Sequence, residues 1–380
     1  MKHISLVQVC DFQGGSQPPK DQWIDREENG YIRMLQIRDF TQPDKDNVAF
    51  VRISKTIKTC EKDDILIGRY GASVGKILTG LSGAYNVAIV KTIPDTSKLS
   101  KRFLYHYLNA PYFQKFILSV GSRAAQAGFN KDDLRDAQIP DLSLNEQNNV
   151  VFQLDKINEL IDLRKEQLSK LDELVKSRFI ELFGDIVLNP FNWEKEQLGM
   201  VCDVRDGTHD SPQYYETGYP LVTSKNVTGG KIDLTDCSLI CEADFNKINE
   251  RSKVDIGDII MPMIGTVGKP VIVDVEPNFA IKNVSLIKFK DHSRVLNIFI
   301  RALLQSDYFD EAVLSRVRGG TQKFISLGDI RKLAVIVPPL ALQEQFAAFV
   351  EQADKSKLAI QQSLEKLETL KKSLMQQYFG

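Results

Sequence analysis

One local pattern occurs twice in this chain. DDILIGRYGASVGK at 63–76 and GDIIMPMIGTVGK at 257–269 each carry an apolar run into a short polar turn, which reads as strand, tight turn, strand. Taken alone, either copy could be a glycine hairpin that merely closes two strands. The repetition, however, continues almost end to end. VCD stands at 9–11 and 201–203, followed by the glycine turns GGSQPPK (14–20) and DGTHDSP (206–212). QIRDF (36–40) and TSKNV (223–227) each close an apolar segment with a basic residue followed by Asp or Asn. After the hairpins, SKRFLYHYLNAPYFQKFILSV and SRVLNIFIRALLQSDYFDEAVLSRV carry apolar residues at helical spacing, and KDDLR and LGDIR follow. Both halves finish on a strand and a proline turn, IPDLSLNEQ (139–147) and VPPLALQEQ (337–345), then a long polar helix ending in Phe-Gly.

The hairpins are not phosphate loops. G-x-x-x-x-G-K-[ST] wraps phosphates in a full turn of backbone N–H groups, with a hydroxyl placed for magnesium. Here the position of the first glycine is Tyr70, and the residue after Lys76 is Ile77. Two copies of half a chain are too few and too long for a solenoid, whose units are about 20–50 residues. The expected fold class is therefore α+β, with two similar globular α/β modules alternating with two long helices. With 380 residues, 43% of them hydrophobic, the chain can bury more than one core. No stretch reaches the roughly 18 apolar residues of a membrane span. MKHISLVQVCDFQ lacks the apolar core and small-residue cleavage site of a secretion signal. Five cysteines without a C-x-x-C pair point to a reducing compartment, the cytoplasm. Cys237 and Cys241 have no His or third Cys beside them for zinc, and no metal site is expected. Cys10 and Cys202 occupy matching places and read as small buried hydrophobes.

The long helices carry heptad seams. Three-four spacing collects Leu154, Ile157, Ile161, Leu168, Leu171, Val175 and Leu182, broken by Arg164 and Arg178. In the second helix it collects Val350, Ala353, Ile360, Leu364, Leu367, Leu374 and Tyr378, broken by Lys357 and Lys371. Seams this narrow fit two helices wound on each other better than a helix facing a core. A helix over 146–183 would span roughly 57 Å at 1.5 Å per residue. The expected division is a first module at 1–145, a helix at 146–184, a second module at 185–340 and a helix at 341–380.

A ruler between two similar modules suits duplex DNA, where one groove returns after about 34 Å. The chain as a whole is at net charge −1, so it is no simple polycation clamp, although residues 1–145 carry a basic surplus. Local clusters carry side chains able to read base edges. In the first module these are Ser16, Gln17, Lys20, Arg38, Arg69, Ser73, Lys76, Arg123 and Gln126. In the second they are Thr208, His209, Ser224, Lys225, Asn226, Thr266, Lys269, Arg316, Arg318, Gln322 and Lys323. Their recurrence at matched positions, different in identity but alike in kind, is what two readers of different sequences need.

DGTHDSP with YPLVTSKNV, GGSQPPK with QIRDF, the paired hairpins, and IPDLSLNEQ and VPPLALQEQ leading into long helices together resemble the specificity subunits of type I restriction-modification systems. The resemblance covers essentially the whole chain, in the family's order of recognition domain, helix, recognition domain, helix. It departs in a first module that starts abruptly at Lys2, where the second is introduced by FNWEKEQLG, and in IPDL where the second copy has VPPL. The resemblance implies an antiparallel coiled coil and recognition domains related by an approximate twofold axis. Each domain would read one half of a split, asymmetric target in double-stranded DNA, and the helices would fix the unread spacer. It also implies two methyltransferase subunits using S-adenosylmethionine on a flipped adenine, and motor-nuclease subunits using ATP and magnesium, with no cofactor in this chain.

The chain's own residues offer no enzyme. An adenine methyltransferase of this kind needs Asn or Asp before Pro-Pro and an aromatic residue; NPFNW (189–193) has one proline, and VPPL (337–340) has no acid or amide ahead of it. The four histidines are scattered and form no catalytic constellation. The alternative from another class is a coiled-coil scaffold whose modules bind protein.

Overall fold

The computed structural model describes residues 2–42, 48–121, 128–264, 269–290, 292–312 and 324–380. Residues 1–165 with 362–380 form one compact unit, and residues 166–361 form the other. Each unit therefore holds one module together with a part of each long helix.

In the first unit, Cys10–Gly14 pairs antiparallel with Ile89–Pro94, which pairs with Leu66–Gly68, which closes on Ile77–Leu78 through the first glycine hairpin. In the second, Asp203–Asp206, Val284–Lys288, Ile259–Pro262 and Val271–Ile272 repeat that order. The hairpin strands Leu66–Gly68 and Ile259–Pro262 are buried at every residue, which is why their sequences run apolar without alternation. A second sheet in each unit contains one short parallel pair, Tyr31–Leu35 with Gly83–Tyr85 and Tyr219–Val222 with Ala280–Ile281. The first unit extends this sheet to five strands; the second keeps three and adds the helix Glu242–Ser252. His3–Ser5 pairs with Gln138–Pro140 as Glu194–Gln197 pairs with Ala334–Val337, so the strand that covers the edge is present in the first module despite its short lead-in.

The long helices run Leu144–Phe183 and Leu340–Phe379. Ser143 opens the first with a reciprocal cap: its Oγ accepts from the Glu146 N–H at 3.4 Å, and Glu146 Oε2 accepts from the Ser143 N–H at 2.8 Å. Gly184 stops it at φ +76°, in the left-handed region that favours glycine.

All seam residues are buried or half-buried: Leu154, Ile157, Ile161, Leu168, Leu171, Val175 and Leu182 on one helix, Val350, Ala353, Ile360, Leu364, Leu367, Leu374 and Tyr378 on the other. The helices pack antiparallel within each unit. In the first, Tyr378 donates to Gln153 at 3.1 Å and Arg164 to Ser363 at 3.3 Å. In the second, Lys357 pairs with Asp172 at 2.6 Å and Arg178 lies 5.9 Å from the Phe349 ring centre. Arg164, Arg178 and Lys357, three of the four charged residues that break the seams, thus bridge one helix to the other.

The expected mutual pair is present, but the seams alone do not describe the packing, because parts of both helices also face the module cores. Val150, Leu154, Met375 and Phe379 belong to the first module's core, and Phe179, Phe183, Phe346 and Val350 to the second's. Each core is completed by segments of both helices, because aromatic rings beside the narrow seams widen the apolar face at the helix ends.

A buried glutamine fixes each helix start. Gln147 Oε1 accepts from the Ser100 N–H at 2.9 Å, and its Nε2 donates to the carbonyls of Lys98 and Leu142 at 2.7 and 2.8 Å. Gln343 does the same with the Leu296 N–H at 2.8 Å and the carbonyls of Arg294 and Pro338 at 2.9 and 2.8 Å. Its equivalent to Gln147 is therefore Gln343, two residues before the exposed Gln345 with which the motif spelling aligns it.

Candidate nucleic-acid interface

In both modules the glycine turn and the capped turn converge on one point, the end of the short parallel strand. Gly15 lies so close to that strand that a Cβ would stand 2.1 Å from the Asn86 carbonyl oxygen; at Gly207 the corresponding distance is 2.3 Å, to the Ile281 oxygen. Only glycine allows this approach. The next residue then docks through its backbone, the Ser16 N–H to Tyr85 and the Thr208 N–H to Ile281, each at 3.0 Å. From the other side, the Asn86 N–H donates to Leu35 at 3.2 Å and the Lys282 N–H to Val222 at 2.9 Å, the residues just ahead of the capped turns.

Those turns are built alike. Gln36 and Asp39 form a reciprocal cap around Ile37–Thr41, and Thr223 and Asn226 form one around Ser224–Asn226. The basic residue inside each turn, Arg38 or Lys225, is exposed, with Ser224 half-buried beside the latter. Asn226 is buried and its side chain accepts from the Thr223 N–H and hydroxyl, both at 3.0 Å. It shapes the turn.

Around this point the first module exposes Gln17 and Lys20, with Ser16 half-buried and its Oγ accepting from the Lys58 N–H at 3.1 Å. Arg69 is half-buried: its Nε donates to the Phe129 carbonyl at 2.8 Å and its guanidinium lies 5.0 Å from the Tyr70 ring centre. Ser73 is half-buried in the hairpin turn, and Lys76 is exposed at its end. In the second module Lys269 is exposed, on the wall of a cleft of about 530 Å³ that Pro270, Arg301 and Asp307 also line. Arg123, Gln126, Thr266, Arg316, Arg318, Gln322 and Lys323 lie outside the described residues.

His209 is tied down at both ring nitrogens, to Asn283 Oδ1 and Asp206 Oδ2, each at 2.9 Å. Asp206, buried, also takes the Arg251 guanidinium. Asn283 sits at φ +55°, a left-handed conformation that Asn tolerates better than most side chains. Asp206, Ser211, Arg251, Lys282 and Asn283 escaped the sequence reading; the one signal was the shared run into the next strand, AYNVAIV and AIKNVSLI. Burial pushes the thiols of Cys10 and Cys202 up to about 12 each, so these residues act as apolar filling. Among the described residues no group of three or more His, Cys, Asp or Glu is placed to hold a metal ion, and no helix is long and apolar enough to cross a membrane.

Two repeats of one α+β module, each presenting a glycine turn, a capped turn and a hairpin, with a pair of long helices, define a duplicated recognition protein. The chain matches the type I restriction modification DNA specificity domain over residues 1–173 and 190–371, and it belongs to that family. It is 24% identical over 373 residues to the type I restriction enzyme MjaVIII specificity subunit of Methanocaldococcus jannaschii, covering 93% of this chain and 86% of that protein. To the EcoBI specificity subunit of Escherichia coli it is 20% identical, covering 83% and 73%. In fold it is similar to the type I restriction-modification S subunit from M. genitalium, with a TM-score of 0.58 at 16% identity, covering 100% of this chain and 96% of the other. A chain from a structure describing complex assembly and conformational transition of the type I R-M system gives 0.59 at 17% identity, covering 100% and 97%.

Proposed function

We propose that this chain is the DNA-specificity subunit of a type I restriction-modification complex, each module reading one half of a split target and the helices setting the gap. One observation carries the reading: the same apparatus of glycine turn and capped turn is built twice, in modules that offer different side chains from matched places. Ser16, Gln17, Lys20, Arg38, Arg69, Ser73, Lys76 and Lys225, with Thr208, His209, Ser224 and Lys269, are the proposed contacts among the described residues. The subunit does no chemistry of its own. Methylation of adenine, with S-adenosylmethionine, and cleavage, with ATP and magnesium, belong to methyltransferase and motor-nuclease partners in the cytoplasm. Phe152, Leu160 and Leu163 support a partner on the helices: they are exposed at 65%, 42% and 47% on a face the seam does not use.

Mapping N6-methyladenine in a genome carrying this chain and its methyltransferase should reveal a split motif with a fixed gap, absent from a strain without the chain. No difference between the strains, with the methyltransferase well expressed, would overturn the reading in favour of a protein-binding scaffold. In the same assay Lys269→Ala should weaken methylation of all sites if the ammonium meets phosphate, and relax one base position if it meets a base. Unchanged methylation would remove Lys269 from the interface. Deleting four or seven residues between Leu160 and Ser177 should shift the gap or abolish assembly; an active deletion complex with the original gap would defeat the ruler.

A further inference from the structure

Lys282 is a cation in an unusual place. Its residue is only 9% exposed, and among the described residues no carboxylate lies within ion-pairing distance. The ammonium's one hydrogen-bond partner among them is Ser211 Oγ, at 2.8 Å. Lysine is seldom this far buried unless paired, and here the ammonium meets only a neutral hydroxyl, so its position needs a reason beyond packing.

The chemistry of the pair supplies one. An ammonium has donors only, so Ser211 Oγ accepts and the hydroxyl proton must point elsewhere. A hydroxyl that accepts a charge-assisted bond is also polarised into a better donor. Thr208 is arranged similarly, its Oγ1 accepting from the Asp210 N–H at 3.1 Å. Thr208 and Ser211 both line a cavity of about 230 Å³ between the turn 208–212 and the helix Glu242–Ser252, with Lys247, Arg251, Asp210 and Asp244 around it. Two hydroxyls whose oxygens already accept a bond each have a proton left for an acceptor. The wall carries both signs of charge, Lys247 and Arg251 beside Asp210 and Asp244, which suits a base edge, where acceptors stand beside amino groups, better than a purely anionic phosphate.

We propose that Ser211 is a specificity-determining donor of the second module, bonding an acceptor on a base edge, and that Lys282 is the residue that positions it. The inference rests on the DNA-reading function proposed above. It also accounts for a difference between the modules. The first has Asn86 at the corresponding place, its side chain accepting from the Ala88 N–H at 3.1 Å, and prolines where the second has Asp210 and Ser211, so the donor is peculiar to one half-site.

The test is methylation of a target library by the complete complex with Ser211→Ala, Lys282→Met, both together, and Lys282→Arg. Ser211→Ala should relax one position of one half-site about tenfold, with the other half-site and the gap read as before. Lys282→Met should relax the same position, the double variant should add nothing further, and Lys282→Arg should restore much of the discrimination. Uniform weakening at every site with Ser211→Ala would mean a phosphate contact and overturn the proposal, as would additive effects of the two single variants. Loss of all activity with Lys282→Met leaves the Ser211→Ala result to decide. If the unaltered complex shows no split motif, it is the function above that fails.

Discussion

Phe183→Ala should be among the most damaging single changes in this chain, lowering the stability of the second unit by about 3 to 5 kcal/mol, the usual cost of a large-to-small change in a packed core. Phe183 is the last residue of the first long helix and has no solvent exposure. Its ring packs 5.0 Å from Phe179, 4.9 Å from Phe299 and 5.6 Å from Phe346 between ring centres, so one truncation opens a hole shared by both long helices and the module. Collapse to fill it is restricted, because the Phe183 carbonyl is held by the Trp193 indole N–H at 2.9 Å. The chain has two tryptophans, Trp23 in the first unit and Trp193 in the second. With Trp23→Phe as background, urea unfolding followed by Trp193 fluorescence reads the second unit directly. Phe152→Ala, at an exposed position of the same helix, should change stability by less than about 0.5 kcal/mol and serves as the control. Equal midpoints for Phe183→Ala and the background would show that the helix end is not part of that core.

The second large effect is expected at Gln343. Replacement by Leu removes the amide yet leaves the Leu296 N–H and the carbonyls of Arg294 and Pro338 in place, and Gln343 itself has no exposure. Groups stranded in this way cost about 1 to 3 kcal/mol each, so a loss of about 3 kcal/mol or more is expected in the same assay. Gln345→Leu, two residues on and exposed, should be near neutral. Gln147→Leu should be as costly for the first unit, read through Trp23 with Trp193→Phe. A neutral Gln343→Leu would mean that water can reach those three groups and that the glutamine is no anchor.

The amino-acid sequence by itself determined the duplication, the strand–turn–strand hairpins and the seam faces of both helices. These are local or periodic properties. A hairpin announces itself by glycines between apolar runs, and a helix face by three-four spacing, whichever partner the face later meets. The turns QIRDF and TSKNV could likewise be matched by pattern, since a capped turn is made by residues three apart. The tertiary structure alone decided what each side chain in those turns does. Asn226, read as a base contact, faces inward as a cap, while Lys282, just past the strand Ala280–Ile281 with nothing to mark it, reaches Ser211, 71 positions away in sequence. It also decided that Gln147 answers to Gln343 and that both helices enter both module cores. Such facts depend on which distant backbone arrives beside a residue. No periodicity records that, because the burial of Phe183 or of Lys282 is a property of the neighbours that surround it.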